Sequence, residues 1–343
     1  RFWFEISWMH VIVDAKSKED VFNLKRKWVP YNKGGAFRKW YGNHDYVVAF
    51  DEESYRMLSS LGNCLPSRHL YFKPAVTWSA LTSSAFGARL SPEGFTFSAK
   101  GACAFPPDEK RSLVIALLNS AISKSVLSIF AASLDFNVGS IRNIPLSDDF
   151  PGSDIVEANA VEAIEIAQGD WDASEVSWGF KTFPWLGKTG AHMKMAATWS
   201  DWDARCQSLV TRMMAIEEEN NRLFIEAYGL QEEIASDVPR DQITLSRPDR
   251  EKDSQRLISY AIGCMMGRYS LDEPGLIYAH AGNVGFDATR YQTFPADADG
   301  IVPITDELWF DDDAAHRVRE FLRAVWGADT LDENMAWLAE SLG

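Results

Sequence analysis

The tripeptide Pro106-Pro107-Asp108 divides the chain into two patterns that do not share a layer of structure. Ahead of it, short apolar runs with β-branched and aromatic residues alternate with Gly and Pro turns: "DYVVAF" (45–50), "HLYFKPAVTW" (69–78) and "GFTFSAKGACAF" (94–105) read as strands, and "SPEG" (91–94) as a tight turn. Behind it, "EKRSLVIALLNSAISKSVLSIF" repeats Leu113, Leu117, Ile122, Val126 and Ile129 at three- to five-residue intervals. That spacing predicts one helix with a single apolar face, with Asp108 as its N-cap. The apolar opening "RFWFEISWMHVIV" reads as a core strand.

Helical spacing dominates the remainder. Helices are expected over about 154–168, 200–228, 253–267, 313–326 and 331–341. Gly229-Leu230 reads as a Schellman stop and Thr330 with Glu333 as a capping box. The predicted class is α+β, a mixed strand-rich domain followed by a mainly helical C-terminal domain. Its expected parts are 1–150, an acidic connector with a Trp-rich segment at 151–205, and 206–343. Trp171, Trp178, Trp185, Trp199 and Trp202 are read as core residues or as a joint between domains.

The formal net charge is −15, but it is distributed unevenly. Residues 1–40 carry nine Lys or Arg against four Asp or Glu, whereas 146–180 carry nine acids and no Lys or Arg. Residues 296–343 hold twelve acids against three arginines. A basic first part and acidic later parts point to different tasks, with surface solvation as the alternative. Apolar residues at 46% exclude a disordered chain. The four cysteines are dispersed, which predicts free thiols in a reducing compartment, and the six histidines share no metal-ligand spacing. With no secretory signal and no apolar stretch of bilayer length, a soluble, cytoplasmic protein is expected. The mid-strand start without Met suggests a piece of something longer.

Motifs for common chemistries are missing. G-x-G-x-x-G, the Walker pattern, H-E-x-x-H and G-x-S-x-G do not occur. The densest functional signal is "YNKGGAFRKWYGN" (31–43), with three cations, three aromatics beyond Tyr31 and three glycines. Gly34 and Gly35 would let backbone amides approach a phosphate, and Lys33, Arg38 and Lys39 would supply charge to it. The competing reading is a glycine-containing hairpin with its aromatics in the core and its cations outside.

This stretch resembles a signature of the BREX-type adenine-specific DNA methyltransferases, the PglX (BrxX) family of a bacterial anti-phage system. "TWSALTSSAFGARLSPEGFTFSAKG" and "LLNSAISKSVLSIFAASLDFNVGSIRNIPL" resemble the TaqI-like target-recognition domain found in many adenine methyltransferases. "EEENNRLFIEAYGLQEE", "ISYAIGCMMGRYSLDEPGLIYA" and "FLRAVWG" extend the likeness to the C-terminal part. The family's N-P-P-[YF] tetrapeptide and S-adenosylmethionine motif are missing; "AFPPD" (104–108) lacks the polar residue ahead of the prolines. The resemblance therefore implies a DNA-recognition half that holds no cofactor itself, with S-adenosylmethionine in an upstream methyltransferase domain. It implies double-stranded DNA as partner, gripped through Lys33, Gly34, Gly35, Arg38 and Lys39. Arg68, Lys73, Ser79, Ser83 and Arg89 would read bases, and Asn137 and Arg142 would contact either base or backbone. The acidic C-terminal part would brace the enzyme or dock other BREX proteins, and phage proteins that imitate DNA charge could target the basic face. A non-catalytic specificity subunit and a protein-interaction module remain alternatives.

Overall fold

The computed structural model describes residues 1–62, 64–82, 84–131, 135–146, 152–187, 193–280, 284–305 and 309–343. They form an α+β protein with its strands in the N-terminal part and helices dominating afterwards. Two compact units are distinguishable, residues 1–171 with 209–245, and residues 172–208 with 246–343.

The first unit holds two three-stranded sheets. In one, β1 (Trp28–Asn32) lies between antiparallel β2 (Val47–Ala49) and parallel β5 (Thr96–Phe97). In the other, β3 (Ala75–Ser79) is central, antiparallel to both β4 (Ala88–Ser91) and β6 (Gly101–Ala104). Every residue of β3 is buried, which suits its position between two neighbours. Short helices α1 (Lys18–Asn23) and α2 (Glu52–Ser60) accompany the first sheet, capped by Ser17 and Asp51. Beneath that sheet, Ile12, Val21, Val29, Phe50, Tyr71 and Phe72 form a small aromatic core.

The second sheet packs on α3 (Arg111–Asn119), which in turn packs on α4 (Ala121–Phe130); the sequence spacing predicts a single helix here. Ser120 ends one and N-caps the other, accepting a hydrogen bond from the Ser123 amide, and the two axes meet at 65°. Periodicity alone misses this break because the apolar residues keep helical spacing through it. Asp108 is not the cap: it opens a 3-10 turn ahead of α3 and pairs with Arg111. The opening apolar segment is not a strand either, folding instead into two 3-10 turns at Trp3–Glu5 and Trp8–His10.

Next come α5 (Val138–Arg142), α6 (Ser153–Asp172) and α7 (Met195–Tyr228), of which Leu209–Tyr228 belongs to the first unit. Helix α7 stops as its sequence predicts: Gly229 has φ 68°, and the amides of Gly229 and Leu230 reach the carbonyls of Glu226 and Ile225. The main core of this unit joins Trp78, Leu113, Ile115 and Ile122 to Val156, Ala160, Val210, Met213 and Phe224.

Within the second unit, α8 (Arg250–Met265), α9 (Ala314–Trp326) and α10 (Leu331–Leu342) pack around Trp185, Tyr260, Phe321 and Trp326. Asp313 caps α9 through the Ala315 amide. The predicted Thr330 and Glu333 box does not form; the Thr330 hydroxyl donates to the Trp326 carbonyl and accepts from the Asn334 amide side chain. Among the described residues no single helix is long and apolar enough to cross a membrane, and no cluster of His, Cys, Asp or Glu is arranged to hold a metal ion.

Candidate nucleic-acid interface

The 31–43 segment leaves β1 at Asn32, whose amide side chain crosses to the Ser91 hydroxyl at 2.7 Å. Gly34 and Gly35 then turn the chain with φ 94° and 158°. The backbone of Gly35 is engaged at once: its amide donates to the Ser79 hydroxyl and its carbonyl accepts from it, both at 3.0 Å. Ser79 and Gly35, both predicted for DNA, thus clasp one another.

The cations that follow are also used inside the protein. Lys39 is 8% exposed, and its ammonium lies 2.6 Å from one Glu217 carboxylate oxygen. The other oxygen accepts from the Trp40 indole N–H at 2.8 Å. Arg38 is paired with Asp170 at 3.1 Å and stacks 5.0 Å above the Trp171 ring. Arg89 is 2% exposed, with its guanidinium directed at the Arg38 and Gly87 carbonyls, and burial pulls its pKa down to about 10. Backbone bonds between Trp40 and both Ala88 and Leu90 tie the loop to β4. Gly42 (φ 115°) permits this packing, since a Cβ there would sit 2.6 Å from Arg38 and 2.8 Å from Trp171. Next to this lock, His44 is enclosed by Tyr41, Phe95 and Trp171, and burial pushes its pKa down to about 3, with Arg89 adding to the shift.

This loop is an internal lock. It follows neither sequence reading in full: Trp40 and Tyr41 are in the core, as in the hairpin reading, and Phe37 is half-buried, but the central cations are not outside.

The other candidates are distributed differently. Lys33 is exposed, its ammonium 4.5 Å above the Tyr46 ring. Asn137 caps α5 through the Ser140 amide, and Arg142 is exposed in the last turn of that helix. Ser83 lies outside the described residues. Arg68 and Lys73 are exposed and come together at a cleft of about 310 Å³ that Lys16, Lys18, His69 and Tyr55 also line. The Arg68 guanidinium is directed by the Tyr55 hydroxyl at 3.4 Å and the Ser59 hydroxyl at 3.5 Å. Its hydrogen bond holds the Tyr55 phenol below its ordinary pKa. Lys18 lies 5.4 Å above the Tyr55 ring and 3.6 Å from Glu19, the acid on this wall.

No local motif marks Lys16, Lys18 or His69 as candidates, and only the two lysines fall where the sequence carries a signal. The available signal was the excess of cations in residues 1–40. A larger cavity, about 410 Å³, opens beside α4 but sets Lys124 against Glu233 and Asp237, so it offers no consistent charge to an anion. At 104–108, Ala104 pairs with Val76 at the end of a ladder and the Phe105 ring lies 5.5 Å from Phe97. Ahead of the prolines this corner presents only the Ala104 and Phe105 side chains to an adenine, and the Asp108 carboxylate is paired with Arg111.

No protein-family model matches the chain. Two curated proteins are similar to it. The adenine-specific methyltransferase PglX of Lacticaseibacillus casei (strain Zhang) is 35% identical over 356 residues, covering 100% of this chain and 29% of its own length. The adenine-specific methyltransferase BrxX of Escherichia coli O9:H4 (strain HS) is 34% identical over 338 residues, covering 92% of this chain and 27% of its own length. The chain therefore spans less than a third of the curated relatives it matches, and it is related along essentially its whole length to a segment of the PglX and BrxX adenine-specific methyltransferases.

Proposed function

We propose that this chain is the DNA-holding and target-recognition part of a BREX-type adenine-specific DNA methyltransferase. The observation that carries the reading is the likeness to the adenine-specific methyltransferases PglX and BrxX over 92–100% of the chain. It is supported by a strand-bearing unit whose exposed cations include Lys33, Arg68, Lys73 and Arg142. An adenine stacked in a duplex is out of reach of a methyl donor, so the whole enzyme must extrude it while holding the flanking DNA. Phosphate contacts fix register and base-edge contacts fix sequence.

S-adenosylmethionine supplies the methyl group in this reading. The 104–108 corner does not fit such chemistry, because Ala104 and Phe105 stand where a polar side chain would be needed ahead of the prolines and are held in a ladder pair and an aromatic contact. The methyl donor and the chemistry are assigned to the part of the relatives that this chain does not match. The acidic second unit suits contact with protein, either the rest of the enzyme or other BREX components, because like charge repels the DNA backbone. Phage proteins that imitate DNA charge would compete for the first unit's exposed cations.

Fluorescence anisotropy with duplex DNA over a salt titration tests the reading. The chain is expected to bind with an affinity that falls as a power of salt concentration. No binding at about 50 mM salt, by this chain or by the whole enzyme, would overturn it.

A further inference from the structure

We propose that the Lys16, Lys18, Arg68, His69 and Lys73 cleft seats the phosphodiester backbone of duplex DNA and does so without reading sequence. This rests on the DNA-holding reading above and names the contact that performs it.

The five side chains come from two stretches of sequence, 16–18 and 68–73, that the fold brings to one opening. Among the described residues, Lys16, His69 and Lys73 form no ion pair. Only one guanidinium nitrogen of Arg68 is engaged, by Tyr55 and Ser59, which aims the fork and leaves its other edge available to an oxyanion. Glu19 is the lone acid in the lining and pairs with Lys18; Asp20, beside it, accepts the Lys16 amide and offsets part of the Lys16 charge, while Arg68 and Lys73 face no acid among the described residues. The charge that remains favours phosphate.

The aromatic lining argues against base contact: the half-buried Tyr55 ring is covered by the Lys18 ammonium at 5.4 Å, and the three other Phe and Tyr rings are enclosed. Phe50, Tyr71 and Phe72 are 1%, 5% and 4% exposed, and they meet one another edge-on at 5.6 to 6.5 Å. No ring face among these three is left for a base to stack on, as single-strand binders require. At about 310 Å³ the cleft admits a phosphate group, while a duplex can only lie across its mouth. Flexible lysine ammoniums act on that backbone as point charges and carry no base code.

The test is a Lys16→Gln, Arg68→Gln, Lys73→Gln variant of the full chain, its fold checked by thermal melting. Each substitution is at an exposed position. Wild type and variant are titrated with a randomised duplex pool between about 50 and about 200 mM salt, and the bound DNA is sequenced. The variant's log–log salt slope is expected to be shallower by about 2.7, about 0.9 for each phosphate lost. The ranking of bound sequences is expected to stay the same. An unchanged slope, or a shifted sequence ranking, would overturn the assignment while leaving DNA holding intact. Wild type that binds no DNA would remove both. Displacement of the duplex by low-micromolar inorganic phosphate would make the cleft a small-anion site and likewise overturn the proposal.

Discussion

Removing Glu217 should destabilise the first unit by several kcal/mol. The Glu217 side chain is 4% exposed and faces the Lys39 ammonium and the Trp40 indole N–H together, with the Lys39 side chain 10% exposed. Glu217→Ala therefore leaves one buried cation without its counter-charge and one buried donor without its acceptor. Breaking a buried pair by deleting one partner costs about 3–5 kcal/mol. Lys39 also borders the 410 Å³ cavity, where the orphaned ammonium can recover some hydration, so a loss near about 3 kcal/mol is expected. Lys39→Met with Glu217→Gln is the informative companion. It removes both charges while the glutamine carbonyl still accepts from Trp40, and it should recover more than half of the loss. Denaturant unfolding of the single and double variants measures both quantities. A Glu217→Ala cost below about 1 kcal/mol, or a double variant no more stable than the single one, would refute the lock.

The same lock separates two roles for its cations: Lys39→Met should lower stability yet leave the salt slope of DNA binding unchanged, and a slope shallower by about 0.9 would return Lys39 to the DNA surface. His44 is neutral in the fold, with its pKa near 3 against an ordinary 6.5. The unfolded chain takes up a proton that the folded chain refuses, so stability is lost as pH falls below about 6.5, by about 2 kcal/mol at pH 5. Unfolding midpoints against pH should show this decline, and His44→Phe should flatten it. Gly42→Ala places a Cβ within 2.8 Å of both Arg38 and Trp171 at φ 115°, and thermal melting should register a cost of at least about 2 kcal/mol. A neutral result would mean that the Arg38 and Trp171 stack is loose.

How much was legible in the sequence depends on how far each residue's partner lies along the chain. The α7 stop was readable because Gly229, Leu230 and the carbonyls they satisfy are neighbours. The break at Ser120 was not, because its cause includes Asn221, whose side-chain carbonyl takes the Ala121 amide from 100 residues away. The 31–43 loop is the sharper case. Cations interleaved with aromatics describe a DNA contact and an internal lock equally well, and only the location of the acids decides between them. Asp170 and Glu217 lie 132 and 178 residues from their partners. The charge gradient thus has a structural meaning in the first unit that neither sequence reading anticipated. Acids of α6 and α7 neutralise Arg38 and Lys39, so two of the three cations in the segment richest in apparent DNA contacts are engaged inside the fold. Exposed cations of the first unit lie instead at Lys33 and Arg142, at Lys16 and Lys18 around the start of α1, and at Arg68 and Lys73 ahead of β3; of these, Lys16 and Lys18 belong to no motif, and only the fold sets them beside Arg68 and Lys73.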